Sequence, residues 1–114
     1  MLHIMKNRNT ELEIGDILYS SWGYDQTNID FFKVKKFVGK TMIELVPIES
    51  KIVESDSPYE DRVIPYLVNE GKPFRRKIKG GDGEFKPYVS INSYSTAHHW
   101  EGRPLAQTNS YYGH

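Results

Sequence analysis

The stretch from Gly15 to Phe37 reads GDILYSSWGYDQTNIDFFKVKKF, and its apolar residues recur with the period of two that is typical of β-strands. In the first half, one face carries Ile17 and Tyr19 and the other carries Leu18, Ser20 and Trp22. In the second half, one face carries Ile29, Phe31 and Phe37 and the other carries Phe32, Val34 and Val38. Two strands that are apolar on both faces favour a small barrel over a flat open sheet.

Residues 23–28 lie between these two runs and are rich in Gly, Asp and Asn, which tolerate positive φ or hydrogen-bond their own backbone. The pattern therefore predicts a β-hairpin. A tight reversal at residues 38–40 leads to a third strand from Thr41 to Ile48, which we expect to continue through residues 51–54 past a bulge, as one long bent strand. Pro47, near the end of this run, favours an edge or a bulge.

Three more strands are predicted: an edge strand from Arg62 to Val68 that Pro65 interrupts, a short basic strand from Phe74 to Lys79, and a strand from Phe85 to Ile91. The glycine-rich residues 80–83 are expected to close a hairpin between the last two. Residues 92–99 fit either a single helical turn or an irregular strand. About six short strands predict an all-β fold, either a small, strongly bent antiparallel sheet or a partly open SH3-like barrel, with an OB-type barrel as the alternative.

The chain has 114 residues, the length of one domain. We expect a flexible N-terminal arm over residues 1–13, a single β domain over residues 14–105 and a C-terminal tail over residues 106–114. There is no cysteine, so disulfides, thiolate metal sites and cysteine nucleophiles are excluded. Because no apolar run approaches the ~20 residues that span a bilayer, and the N-terminus lacks the apolar core of a signal peptide, we expect a cytoplasmic protein.

The formal net charge is zero, which argues against binding of nucleic acid by bulk charge alone. The charge is nevertheless divided along the chain, because acidic residues cluster over residues 49–61 and basic residues cluster over residues 72–79. For the acidic cluster, a solvated loop is the favoured interpretation. A strand would project the basic cluster on both faces, toward nucleic-acid phosphates or an acidic protein surface. The alternative is that these charges only protect a strand edge from aggregation. The candidate binding cations are Arg75, Arg76, Lys77 and Lys79.

The loop from Trp22 to Asn28 combines flat apolar rings with hydrogen-bonding groups, a mixture that suits recognition of a base, a peptide or a protein surface. The alternative is that Trp22 packs in the core while the polar residues satisfy the backbone of the turn. The candidate binding residues of this loop are Trp22, Tyr24, Gln26 and Asn28.

No pattern in the chain identifies a catalytic, metal or cofactor site. His98 and His99 are adjacent, so their rings diverge on a strand, and no histidine spacing typical of a zinc site is present. The Gly-x-Ser-x-Gly signature of a nucleophilic serine is absent, and residues 80–83 lack the following lysine of a phosphate-binding loop. We therefore expect neither a metal nor a cofactor, and an enzyme of unidentified class is only a weaker alternative.

The string from Ser21 to Phe32, SWGYDQTNIDFF, and the closing pattern WEGRP at residues 100–104 followed by SYY at residues 110–112 resemble a group of small proteins of bacteriophages and other mobile elements. The resembling segments cover roughly a third of the chain and imply no single activity. The resemblance implies a module that binds host machinery, such as an anti-CRISPR-like or antirestriction inhibitor of a defence nuclease.

Two functional hypotheses follow. The first is a non-enzymatic module that docks on a host protein or nucleoprotein through the basic strand and the loop from Trp22 to Asn28. The second is a small barrel that binds nucleic acid directly, with the same cations on phosphates and with Tyr24 or Trp22 stacked on bases. Exposed strand edges make a homodimer a further hypothesis.

Overall fold

The computed structural model describes residues 12–23, 26–54, 60–80 and 86–108 of the chain. Eight β-strands run through these residues, and every strand pairing between them is antiparallel. The strands are β1 (Ile17–Trp22), β2 (Asn28–Val38), β3 (Met42–Glu54), β4 (Glu60–Glu70), β5 (Phe74–Lys79), β6 (Tyr88–Asn92), β7 (Ser95–His99) and β8 (Leu105–Thr108).

Six of the strands close into a barrel. They follow the order β2-β1-β7-β6-β5-β3, and β3 pairs again with β2. β4 and β8 extend the sheet outward from the second half of β3. The predicted all-β small barrel is thus confirmed, and closing the sheet leaves no edge between the six strands of the barrel wall.

The barrel interior is filled by the inward residues of the wall, and Leu18, Val34, Ile43, Leu45, Val89 and Ala97 have no solvent exposure. Leu12 also belongs to this cluster and is 3% exposed, although the sequence placed it in an N-terminal arm. Burying its side chain is worth about 1.5–3 kcal/mol, which explains why the chain follows the barrel before β1 begins.

A second apolar cluster lies on the outer side of β1, β2 and β3. Phe31, Val46 and Val63 are at most 1% exposed there, and Trp100 and Leu105 pack against them. β2 and β3 therefore bury both of their faces, one against the barrel interior and one beneath β4, β8 and the Trp100 segment. This arrangement is the physical reason for the two-faced apolar pattern in the sequence.

The predicted long, bent third strand is confirmed as β3, and Pro47 marks the point where this strand changes neighbours. β3 pairs with β5 as far as Leu45 and with β4 from Ile48 onward. A residue without an N–H group fits this change of partner. The carbonyl oxygen of Pro47 accepts a hydrogen bond from the Gly71 N–H at 2.8 Å, which connects β4 back to the barrel wall.

The alternation predicts that Phe37 shares a face with Ile29 and Phe31. In the structure, Phe37 lies on the opposite face. The register between β2 and β3 shifts between Val34 and Lys36, so that Phe37 stands opposite Ile43 of the barrel interior. One extra residue in a strand reverses the side on which every later residue faces. Phe37 is nevertheless 38% exposed.

The outer strands also differ from the sequence prediction. β4 is not an edge strand over its first four residues, because β8 pairs with Glu60 to Val63 on the side away from β3. The sequence assigned residues 106–108 to a tail, and they form most of β8 instead. Residues 95–99, where the sequence allowed a helical turn, form the regular strand β7. The predicted turn at residues 80–83 lies outside the described residues except for Gly80.

Glu70 ties the end of β4 to β2. Its carboxylate accepts hydrogen bonds from Lys35 Nζ at 3.1 Å and from Lys33 Nζ at 3.2 Å. The hydrogen bond from Lys35, followed by that from Lys33, holds the pKa of this carboxyl below its usual range. Because these groups are exposed, the ion pairs add little to the free energy of unfolding.

Candidate functional site

The outer surface of the barrel wall carries a row of aromatic side chains across three neighbouring strands. Tyr19 of β1 stands directly opposite His98 of β7, and His98 stands opposite Tyr88 of β6. Tyr88 in turn faces Lys79 of β5. Residues paired directly across a ladder project from the same side of the sheet. Tyr19, His98 and Tyr88, which we call the aromatic row, therefore end beside a lysine.

The rings of the aromatic row are neighbours without being stacked face to face. The centroid of the His98 ring lies 6.1 Å from that of Tyr19 and 5.9 Å from that of Tyr88, with interplanar angles of 45° and 30°. His98 is exposed, and the two tyrosines are half-buried. The three neighbouring rings therefore form a mostly apolar surface that is accessible to solvent.

Gly80 supports the last ring of the row. A Cβ atom at this position would lie 3.1 Å from two carbons of the Tyr88 ring and 2.8 Å from the Lys86 carbonyl oxygen. The backbone also has a φ of 70°, in the left-handed region that favours glycine. The chain thus passes close beneath Tyr88, and this contact limits where the ring can lie.

Three cations project outward from β5 next to the aromatic row. Arg75, Lys77 and Lys79 are exposed and alternate with the inward residues Phe74, Arg76 and Ile78. Arg75 is partly neutralised, because its Nε lies 3.1 Å from Glu44 Oε1. Lys77 and Lys79 form no ion pair within the described residues. The outward positions of β1, β5, β6 and β7 hold no carboxylate, so this wall is positive although the chain is neutral.

Arg76, the fourth predicted cation, is separated from the other three. It points to the inner side of β5, where Nε donates to the Ile91 carbonyl oxygen at 3.0 Å and the guanidinium lies 4.8 Å from the centre of the Phe74 ring. β5 and β6 are paired only at Ile78–Val89 and Lys79–Tyr88. Beyond those pairs the two strands diverge, and Arg76 bridges the gap between them.

The predicted loop from Trp22 to Asn28 lies apart from the aromatic row. Trp22 shares the inward face of Leu18, and its Nε1–H donates to Asp30 Oδ2 at 2.7 Å. Its ring lies 5.5 Å from the exposed ring of Tyr94, in the turn between β6 and β7. Asn28 Nδ2 donates to the Trp22 carbonyl oxygen at 3.4 Å. These bonds favour the structural alternative for Trp22 and Asn28.

The structure describes one of the two remaining candidate residues of that loop. Gln26 is half-buried, and a Cβ atom at Gly23 would overlap the Gln26 carbonyl oxygen, so the backbones of these two residues approach closely. Tyr24 lies outside the described residues. Thr27 exchanges two hydrogen bonds with Thr108, one from the Thr27 N–H to Thr108 Oγ1 and one from the Thr108 N–H to the Thr27 carbonyl oxygen. β8 thus holds Thr27, the residue before β2, in place.

The two adjacent histidines lie on opposite faces of β7, as the sequence predicted. His98 belongs to the outer aromatic row, whereas His99 is on the inner side, with Nε2 3.4 Å from Asp16 Oδ2. Sequence reasoning considered His98 only as a metal ligand and did not consider Tyr19 or Tyr88 as binding residues. Their outward positions follow from the alternation of each strand, but the register that aligns the three strands is not visible in the sequence.

A patch of apolar side chains is exposed on the second half of β3 and on β4. Leu67 is 58% exposed and Val68 is 59% exposed. They lie in a bulge, since Tyr66 pairs with Glu49 and Glu70 pairs with Ile48, which leaves residues 67–69 opposite no residue of β3. Ile52, Val53 and Tyr66 are also exposed on the part of the sheet that extends beyond the barrel.

A scan against protein-family models, a search of curated proteins and a search of solved structures each found no match to this chain. Within the described residues, no helix is long and apolar enough to cross a membrane. The fold and the outer surface define a class only: a small closed antiparallel β-barrel with an aromatic and basic face. A function must therefore be argued from the chemistry of that face.

Proposed function

We propose that the protein is a non-enzymatic module that binds single-stranded nucleic acid on the outer wall formed by β1, β7, β6 and β5. The observation that carries the proposal is the aromatic row, which ends at Lys79; Lys77 follows on the same outward face of β5. Aromatic rings stack on bases of any sequence, and cations beside them contact the phosphates that link those bases.

Single strands suit this surface better than duplexes. A duplex hides the faces of its bases, so rings in a row on an open surface have nothing to stack on. A single strand can lay successive bases on Tyr88, His98 and Tyr19 while its backbone runs past the lysines. Stacking contributes about 1–3 kcal/mol per base, so the rings carry most of the affinity and the few cations orient the strand.

The zero net charge is compatible with this interaction because the contacts are local. Arg75, Lys77 and Lys79 provide at most three phosphate contacts. The logarithm of the binding constant is then expected to fall with the logarithm of salt concentration with a slope of about −2. A protein that coats nucleic acid through bulk charge would show a much steeper dependence.

Fluorescence anisotropy with labelled oligonucleotides tests the proposal. We expect saturable binding of single-stranded DNA or RNA of about ten nucleotides, and weaker binding of the matching duplex. Tyr88→Ala and His98→Ala should each weaken binding about tenfold, because each removes one stacking surface. Tyr94→Ala is the matched control, since Tyr94 is an exposed tyrosine outside the row. Equal loss in all three variants, or no binding at all, would refute the proposal.

The charge contribution is tested separately. Lys79→Glu should weaken binding and flatten the salt dependence, whereas Lys51→Glu, which makes the same charge change on the exposed extension of β3, should alter neither. Arg76 is unsuitable for this test because its guanidinium supports the barrel wall. A similar response to both substitutions would show that overall charge, and not this face, determines binding.

Docking on a host protein is the second candidate function, and the exposed apolar bulge at Leu67 and Val68 favours it. A pull-down from host lysate with and without nuclease treatment separates the two functions. A protein partner that survives nuclease and high salt, and that Leu67→Glu releases while Tyr88→Ala does not, would support a host-directed inhibitor. Recovery of nucleic acid that high salt removes would support direct binding.

A further inference from the structure

The aromatic row leads at its Tyr19 end into a small cleft. The cleft has a volume of about 120 Å³ and is lined by Tyr19, Trp100, Glu101, Arg103 and Leu105. Tyr19 is thus shared between the outer wall of the barrel and the cleft. Sites for whole small-molecule ligands usually enclose about 300–1,000 Å³. This cleft is too small for such a ligand and has the size of a single planar ring system.

We infer that the cleft holds one unstacked base of a bound single strand, at the end of the aromatic row opposite Lys79. The inference rests on the proposed function and names a site within it. A strand that stacks on Tyr88 and His98 and continues in the same direction reaches Tyr19 next. Single-stranded nucleic acid is commonly recognised by splaying a base out of the stack against aromatic side chains.

Contacts within the protein hold Trp100, one wall of the cleft, in place. The Trp100 N–H donates to the Ile17 carbonyl oxygen at 2.8 Å, and Trp100 Nε1–H donates to the Arg103 carbonyl oxygen at 2.7 Å. The indole also packs against the ring of Phe31 in a T-shaped arrangement, with centroids 6.0 Å apart and planes at 77°. Because the ring is already held in place, binding a base against it requires little ordering of the protein.

The polar residues of the cleft match the edges of a nucleotide. Arg103 is exposed and carries donors in a planar fork that suits phosphate oxygens and base acceptors. Glu101 is an acceptor for exocyclic amino groups. The apolar walls come from Leu105 and the two aromatic rings, so a base can bury its faces while its polar edge meets the charged side chains.

NMR titration tests the inference on the full chain, with a four-nucleotide single strand as the probe. The chain has two tryptophans, so Trp22→Phe assigns the indole signal of Trp100. We expect the Trp100 indole signal and the His98 ring signals to shift together as the oligonucleotide binds. Leu105→Phe, which fills the cleft, should abolish the Trp100 shift and weaken binding about tenfold, while the His98 shift persists.

The outcomes separate this inference from the proposed function. If neither His98 nor Trp100 responds, the binding face itself is refuted. If His98 responds but Trp100 does not, or if Leu105→Phe leaves affinity unchanged, the strand binds without using the cleft and only this inference is overturned. Arg103→Ala serves as a second variant that does not touch the apolar wall, and we expect it to weaken binding without loss of folding.

Discussion

At the scale of single residues, Gly80 and Tyr88 show how the backbone shapes the proposed binding face. The ring of Tyr88 lies close to Gly80, whose φ of 70° falls in the left-handed region that favours glycine. A ring that is held from below loses less freedom when a base stacks on it. The position of this ring is therefore a property of Gly80, the residue that follows β5, as much as of Tyr88 itself.

A pair of glycine substitutions separates this support from backbone strain. Gly39 has nearly the same φ, 68°, but no atom lies within 4 Å of a Cβ built there. Gly39→Ala should lower the free energy of unfolding by about 1–2 kcal/mol through strain alone. Gly80→Ala should cost at least about 1 kcal/mol more, because its Cβ also overlaps the Lys86 carbonyl oxygen and the Tyr88 ring.

Urea denaturation and oligonucleotide binding measure the two effects. Only Gly80→Ala should weaken binding, since only that variant displaces Tyr88. If both variants lose the same stability and both bind normally, Gly80 is needed for its φ alone and does not position the ring.

At the scale of elements, β5 has two chemically different faces. Its outward cations Lys77 and Lys79 are available to a partner, and outward Arg75 is only partly neutralised. Inward Arg76 instead acts as part of the wall. The guanidinium of Arg76 supplies the carbonyl of Ile91 with a hydrogen bond where β6 has moved too far away to pair with β5. The Arg76 side chain thus replaces a backbone hydrogen bond between β5 and β6.

Substitution of neighbouring arginines by methionine tests this division. Arg76→Met keeps an apolar stem over Phe74 but removes the donor to Ile91, and we expect it to destabilise the fold by about 1–3 kcal/mol. Arg75→Met removes only an exposed ion pair with Glu44 and should cost about 0–1 kcal/mol. Thermal unfolding followed by circular dichroism measures both. A larger loss for Arg75→Met would contradict the assignment of Arg76 to the barrel wall.

Sequence pattern predicted the elements that are specified locally. β5 was predicted with its observed bounds, because turn-forming residues flank a short alternating run. β8 was missed because four residues of mixed character form a strand only through pairing with β4. The face of Phe37 was wrong because the bulge near Lys35 depends on how β2 meets β3. The aromatic row was not predicted for the same reason, since it depends on the register of three strands, which periodicity does not reveal.

At the scale of the whole molecule, two apolar cores share the same strands. β2 and β3 send alternate residues into the barrel interior and into the outer cluster, so neither core can form without these two strands. Cooperativity between the cores is therefore built into the sheet. Since the proposed binding face includes Tyr19 of β1 and the cleft beside Trp100, it extends from the barrel wall to the outer cluster.

The two tryptophans are natural reporters of this cooperativity. Trp22 ends β1 on its inward face, and Trp100 packs against the outer cluster. With Trp22→Phe and Trp100→Phe backgrounds, fluorescence follows each region alone. Leu45→Ala removes a side chain from the barrel interior and Ile48→Ala removes one from the outer cluster, both on β3, and each should cost about 2–5 kcal/mol.

We expect each substitution to move the urea transitions of both reporters by the same amount, as a single two-state unit requires. A shift of the Trp100 transition alone in Ile48→Ala would show that the outer cluster, with β4 and β8, unfolds separately from the barrel. The cleft beside Trp100 would then open without loss of the aromatic row, because Tyr88 and His98 belong to the barrel wall. The coupling of these two transitions therefore decides whether the proposed binding surface is one rigid unit or consists of two parts that open independently.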